Sequence, residues 1–502
     1  MNARHIQPLL SAIFAAAFVG CASHTAKLAQ VKTDIAMPGY AVNTDAVPFR
    51  PEDVNGPDKI LNLAERARAY QLTGEIDKST EDYLAAEAAY DVLDDSAIVS
   101  VSKETSKAVV GVLANDTVLP YEGNAHERLM LYQLDAFNHL ARLDWNNTRA
   151  AANNIVYLSE RERQRREAKI REAEELQKEG HKGHRFAYSS LTGTPLFKSK
   201  FAASYAAAKA FTDALQNGYA YYFGAFVREV DGDYSGARLG YQRAAELAPA
   251  NAFVKRDIAR MDAAVDGGSV PGPEPNVLVF FEEGFAPQLD SFSLSFLTIP
   301  VGGHESIAGA RVAAGSNGGV VAGAVPTSHP LSVKFTLPFY SQEQLGVPSY
   351  PLVVSEGGAG VVAETQLVGD FRALAARAFE DRLPYIATRS AYRAITKAVA
   401  AAVVNNVVAK RSSIPFAGVL AKAGGILLTQ ATEFADLRTW LLAPRFGQIA
   451  RWRANPGRHG FTFQHAGNSK TVVAEVPADG TLVFHVVSVP GRMVVEGTAV
   501  EP

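Results

Sequence analysis

"GDYSGARLGYQRA", residues 232–244, is the stretch on which the reading of the first half of the chain turns. Gly232 is followed at once by an acid, then by a small residue at Ala237, an aromatic at Tyr241 and an alanine at Ala244. "GEIDKSTEDYLAA", residues 74–86, repeats each of these features at the same spacing. A weaker copy, "LDWNNTRAAANNI" at 143–155, keeps the acid and aromatic as Asp144-Trp145 and puts Leu143 in the glycine place. The pattern specifies a helical hairpin, because glycine permits the tight turn and small residues let two helices approach closely. A helical period runs from Lys59 to about Ala264, so residues 56–265 are expected to form an all-α domain.

The last copy resembles a tetratricopeptide repeat, with Tyr221, Gly224 and Ala225 before the turn and Ala237, Tyr241, Ala244 and Pro249 after it. The resemblance implies inward positions for Tyr221 and Ala225. Tyr222 and Phe226, four apart on one face, then become the candidate exposed aromatic pair for binding a partner. The competing expectation is that both rings pack on a neighbouring helix. Between the second and third copies, "SERERQRREAKIREAEELQKEGHKGH" at 159–184 pairs its charges as Glu162 with Arg166 and Glu167 with Arg171, which predicts a long solvated helix. "SSLTGTPLFKSKF" at 189–201 reads as a mobile loop.

"DGGSVPGPEP", residues 266–275, is a linker by its glycine and proline content. Beyond it the period changes. "NVLVFFEEG" is a short apolar strand, while "SFSLSFLTIP" alternates through Phe292, Leu294 and Phe296 and "SVKFTLPFY" through Val333, Phe335 and Leu337. Asp370 can cap a helix in which Phe371, Leu374, Ala375, Ala378 and Phe379 share a face. Two alanine-rich segments follow, at 390–411 and 415–440. Arg393, Lys397, Asn405, Asn406, Lys410 and Lys422 argue against a membrane-spanning pair and for packed helices. Strands near 471–476, 481–489 and 492–498 are separated by Asp479-Gly480 and Pro490-Gly491, which suggests a terminal β-meander. The expected architecture is therefore α+β and multidomain: helical hairpins at 56–265, an α+β domain at 276–445 and a meander module at 446–502.

The chain of 502 residues has a net charge of -3, with 47% hydrophobic and 20% charged residues, which excludes a disordered chain and makes nucleic acid an unexpected partner. Its single cysteine, Cys21, directly follows an apolar run from Leu9 to Val19 behind Arg4. Residues 1–20 read as a secretory signal too short to span a bilayer. Phe18-Val19-Gly20-Cys21 is similar to the lipobox of bacterial lipoproteins, which implies lipidation of Cys21. Ala22 and Ser23 after the cysteine imply sorting to the outer membrane, and residues 21–55 read as the lipidated cysteine and a flexible tether.

"NGYAYYFGAFVREVDGDYSGARLGYQRAAELAP", "VFFEEGFAP" and "ADLRTWLLAPRFGQIARWRANPGRHGF" resemble an uncharacterised family of bacterial lipoproteins containing tetratricopeptide-like repeats. The resemblance implies an envelope-assembly setting, because such proteins are commonly encoded beside lipoproteins similar to the curli secretion channel. Residues that could carry chemistry are few. Glu282-Glu283 is expected to be a solvated edge and turn, His304-Glu305 lacks a second histidine at ligand spacing, and "GSNGG" at 315–319 lacks the rest of a phosphate loop. Asp436 and Arg438, with Trp440, read as a structural motif that holds the fold. No catalytic, metal or cofactor site is assigned. The expected function is a lipid-anchored periplasmic scaffold that binds envelope proteins through its helices. The alternative is an enzyme acting on an envelope polymer from a site in the carboxy-terminal domain.

Overall fold

A computed structural model describes residues 24–100, 120–179, 186, 188–267, 274–298, 331–357, 360–411 and 434–501. The chain is mixed α+β, with a helical half and three sheets.

The helices in order are α1 (His24–Ile35), α2 (Pro51–Val54), α3 (Lys59–Thr73), α4 (Ile76–Ser100), α5 (Ala125–Ala141) and α6 (Trp145–Glu179). They continue as α7 (Tyr188–Thr192), α8 (Pro195–Ala208), α9 (Gly218–Val230), α10 (Tyr234–Leu247) and α11 (Ala252–Val265). Three pairs of consecutive helices turn where the repeat pattern places the turn. Gly74 after α3 and Gly232 after α9 adopt left-handed φ values of 81° and 78°, and Leu143 between α5 and α6 is forced to 58°. Small residues set the approach of α9 to α10: a Cβ built on Gly240 would lie 2.8 Å from that of Ala225. Asp233 caps α10, its Oδ1 accepting from the Gly236 N–H at 2.9 Å.

Strand β1 (Val277–Glu283) is the middle strand of the largest sheet. The later elements are β2 (Asp290–Thr298), β3 (Leu331–Phe339), α12 (Gln342–Leu345), β4 (Val353–Glu356), β5 (Gly360–Glu364), β6 (Gln366–Asp370) and α13 (Phe371–Arg411). The chain ends in β7 (Phe446–Trp452), β8 (Gly457–His465), β9 (Asn468–Val476), β10 (Thr481–Val489) and β11 (Arg492–Val500). A five-stranded sheet runs β11-β10-β1-β7-β6, with β1 parallel to β10 and antiparallel to β7. A four-stranded sheet, β5-β4-β8-β9, covers one of its faces. The period of two decides what goes where. Val277, Val279 and Phe281 point to the second sheet, whereas Leu278 and Phe280 point to the helices. The hairpin of β2 and β3 packs instead on α8 and α13, through Leu294, Val333, Phe335, Phe201 and Phe379. Asp370 caps α13 as its position suggests, accepting from the Ala373 N–H at 3.0 Å.

Five expectations need correction. The segment expected to be a tether is folded over its described part: α1 buries Leu28, Val31 and Ile35 against Ala69, Leu72 and Phe49, because its apolar residues recur at helical spacing. The boundary at 266–275 does not separate two cores, since Phe137, Tyr219, Phe223 and Phe226 share one cluster with Leu278, Phe280, Ile449 and Val483. Residues 446–502 are not a module of their own. Their strands are divided between the two larger sheets, because β10 pairs with the distant β1. The stretch 189–201 is mostly helical and buries Phe197 and Phe201 completely. The charged helix α6 is not solvated throughout: Glu162 is buried and meets Arg128 at 3.0 Å and Arg165 at 2.9 Å, while Arg166 meets Asp381 at 3.1 Å. Glu167 and Arg171 do pair, at 3.9 Å. Residues 390–411 continue the helix that Asp370 caps, and most of 415–440 lies outside the described residues. Among the described residues no helix is long and apolar enough to cross a membrane.

Candidate functional site

The face of the five-stranded sheet that meets the helices carries two buried charge networks. Glu282 follows Leu278 and Phe280 on that face and is fully buried, so the solvated edge expected for Glu282-Glu283 is wrong. Its partners are Arg68 of α3 at 2.6 Å and His485 of β10 at 3.1 Å. Burial opposes its charge, but Arg68 and His485 outweigh that and hold its pKa below the usual carboxylate range. Phe137 stacks on the His485 ring at 4.1 Å. In the second network Arg451 of β7 meets Glu229 of α9 at 2.7 Å, and Arg260 of α11 meets the same carboxylate at 2.6 Å. Against the cost of burial, these two guanidinium groups bring Glu229 to about 2. Both networks clamp helices to the sheet.

Tyr222 and Phe226 belong to this packing. Both are 0% exposed, which corrects the expectation of a surface pair. Tyr222 donates to Asp257 at 2.5 Å and faces Phe280 at 5.9 Å, and Phe226 faces Phe280 at 6.1 Å. The reason is that the inner side of the helical layer is covered by the chain's own sheet.

Glu283 points the other way, to the second sheet. Ser349 donates to it at 2.6 Å and Gln448 at 2.9 Å, and His465 stands 3.3 Å away with Ser488 3.0 Å from its other ring nitrogen. The order serine, histidine, carboxylate is that of an acyl-transfer site. Here Ser488 is 2% exposed and already accepts from Asn468 at 3.0 Å, so the chain of bonds ties β1, β8 and β10 together. Asp436 and Arg438 pair at 2.7 Å, as expected of a structural motif, and Arg438 reaches on to Asp58. The neighbouring Trp440 is buried and its backbone N–H donates to Glu127 at 2.9 Å. Leu441 and Leu442 donate to Glu65 at 2.6 and 2.8 Å. This stretch therefore fastens the second half of the chain to α3 and α5.

Two concavities stand out on the outside of the described residues. The larger, about 690 Å³, lies between α6, α7 and α13. Its charges are paired: Arg377 with Asp381 at 2.7 Å along α13, Arg166 of α6 with the same carboxylate at 3.1 Å, and Lys169 with Glu122. Desolvation lowers the Lys169 ammonium and lifts the adjacent Tyr385 hydroxyl to about 12. The smaller, about 360 Å³, is a groove between α6, α9 and α10. Its lining includes Tyr221, Gly224, Ala225 and Arg228 on α9, flanked by Ala220 and Val227, and Gly236, Leu239, Gly240 and Arg243 on α10. Each set recurs at i, i+3, i+4 and i+7, which is one face of a helix. The repeat resemblance placed Tyr221 and Ala225 inward: Ala225 is buried, but the half-buried Tyr221 lines this groove, and Tyr222 and Phe226 do not. The arginines that end each stripe gave no signal of their own, because an exposed arginine on a helix is ordinary.

Among the described residues no group of three or more histidine, cysteine, aspartate or glutamate side chains is placed to hold a metal ion. Cys21, His304, Glu305 and residues 315–319 lie outside the described residues. Comparison with family models, with curated proteins and with solved structures gives no match.

Proposed function

We propose that the protein is a lipid-anchored adaptor on the periplasmic side of a bacterial outer membrane, acylated at Cys21 and holding a segment of another envelope protein on its tetratricopeptide-like helices. Lipoproteins similar to the curli secretion channel are the first partners to test. The observation that carries the reading is the groove between α6, α9 and α10: it is already formed, and it opens away from the sheet that covers the inner side of the helices. A rigid helical layer with one preformed outward groove suits capture of an extended segment. No step of catalysis is assigned.

The test is in-envelope photo-crosslinking of the full chain from position 221, with the exposed Val473 on β9 as the control position. A discrete protein adduct from 221 and none from 473 is expected. Cys21→Ser should leave the protein unacylated and released from membranes. Equal adducts at both positions, or an activity on an envelope polymer that one polar substitution abolishes without unfolding the chain, would overturn the reading.

A further inference from the structure

The groove's charges and length define what it can hold. Of its two carboxylates, Asp231 is held by Arg149 at 2.7 Å and by the Trp145 indole N–H at 2.8 Å, and Asp233 is held by the α10 cap. Among the described residues neither Arg228 nor Arg243 has an ion-pair partner within 4.0 Å. Arg228 sits at the Gly236 end beside Asp233: a Cβ on that glycine would lie 2.9 Å from Arg228 Nη1 and nearer still to Asp233 Oδ2. Arg243 is seven residues further along α10, which at 1.5 Å per residue is about 10 Å down the groove. The floor between them is Gly224, Gly240 and Ala225, and a Cβ on Gly224 would meet nothing within 4 Å. Leu239, 55% exposed, and Tyr221 form apolar walls.

Two arginines rooted at the two ends of the groove, their anchor points about 10 Å apart along its axis, over a floor of small residues suit an extended occupant. In a polyproline-II segment the rise is about 3.1 Å per residue with three residues per turn, so side chains at i and i+3 point the same way about 9 Å apart. A β-strand would send i and i+3 to opposite sides. We infer that the groove binds an extended, polyproline-II segment of a partner protein with acidic residues at i and i+3, their carboxylates on Arg228 and Arg243 and the intervening residues over Gly224. This rests on the adaptor reading and names the chemistry of the partner.

The probe is an eight-residue peptide with a Glu-Pro-Pro-Glu core, titrated into the full chain and compared with Lys-Pro-Pro-Lys and with Glu-Pro-Pro-Pro-Glu, whose acids are one residue too far apart. The first should bind, should weaken with added salt, and should exceed the other two by about tenfold or more, the scale of one charge-assisted hydrogen bond. Arg243→Glu, at an exposed position that folding does not need, should reverse the preference toward the lysine peptide. Gly224→Leu should fill the groove and abolish binding while the thermal transition holds. Equal binding of the three peptides, no binding of any, or an unchanged affinity in Arg243→Glu would overturn the inference. The adaptor reading is judged separately: a partner crosslinked from position 221 that the acidic peptide fails to displace leaves that reading standing and removes this one.

Discussion

At the scale of single residues, two positions show the chain accepting a local cost. Leu143 occupies the turn that glycine fills in the other two repeats, at φ 58° and 69% exposed. A left-handed L-residue costs about 1–2 kcal/mol, and this side chain recovers little by packing. Leu143→Gly should therefore raise stability by about 1 kcal/mol net of the added chain entropy; a lower urea midpoint would contradict it. Glu87 on α4 is the second case. Burial first, then the nearby Asp135 and Asp91, raise its carboxyl from 4.5 to about 9. The folded chain thus holds a proton there that the unfolded chain releases, so this group's contribution to stability falls as pH rises from about 4.5 to 9. Glu87→Gln keeps the neutral shape and removes the titration. Its advantage over the wild type should grow from little at pH 5 to about 1 kcal/mol or more at pH 8, read as the difference in unfolding midpoint at the two values.

At the scale of elements, packing explains both what the sequence disclosed and what it hid. The turns at Gly74 and Gly232, strand β1, the alternation in β2 and β3, the cap at Asp370 and the hairpin turn at Pro490-Gly491 were all legible, because each is a local signal of period or turn chemistry. The parallel pairing of β1 with β10 was not, since no local pattern joins strands some 200 residues apart. Nor was the burial of Glu282, His485 and Arg451, because a charge within a strand reads as solvated until its partner on another element is known. Within this layer Phe280 is the hub, ringed by Phe137 at 5.2 Å, Phe223 at 5.5 Å and Tyr219 at 5.6 Å. Phe280→Ala should cost about 3–5 kcal/mol. The glycines of α9 and α10 should respond in opposite directions. Gly224→Ala gains about 1 kcal/mol of helix propensity in open space, whereas Gly240→Ala drives a methyl into Ala225 and should lower the melting temperature. A similar shift in both would show that the helices are not held at the approach described.

At the scale of the molecule, the question is whether the helical half and the sheet half can stand apart. The linker composition at 266–275 suggested that they could. The contacts across it argue otherwise: Arg68 with Glu282, Glu229 with Arg451 and Glu65 with the N–H groups of Leu441 and Leu442 all join residues before the linker to residues after it. Separation would leave Arg451 without Glu229 and Glu282 without Arg68, and removing one partner of a buried pair costs about 3–5 kcal/mol each time. It would also open the aromatic cluster around Phe280 to water. α1 adds a further tie, since it starts only three residues after Cys21 and packs Leu28 and Ile35 beside Val487 and Val489 of β10. The body therefore begins within about 10 Å of the proposed lipid, at 3.3–3.6 Å per extended residue. A protease site placed within 268–273 tests the shared core directly. After complete cleavage the two pieces should elute together at the size of the intact chain and unfold in one transition. The piece from 276 onward, expressed alone, should fail to give a soluble monomer. Two separately stable monomeric fragments would show instead that each half carries a sufficient core.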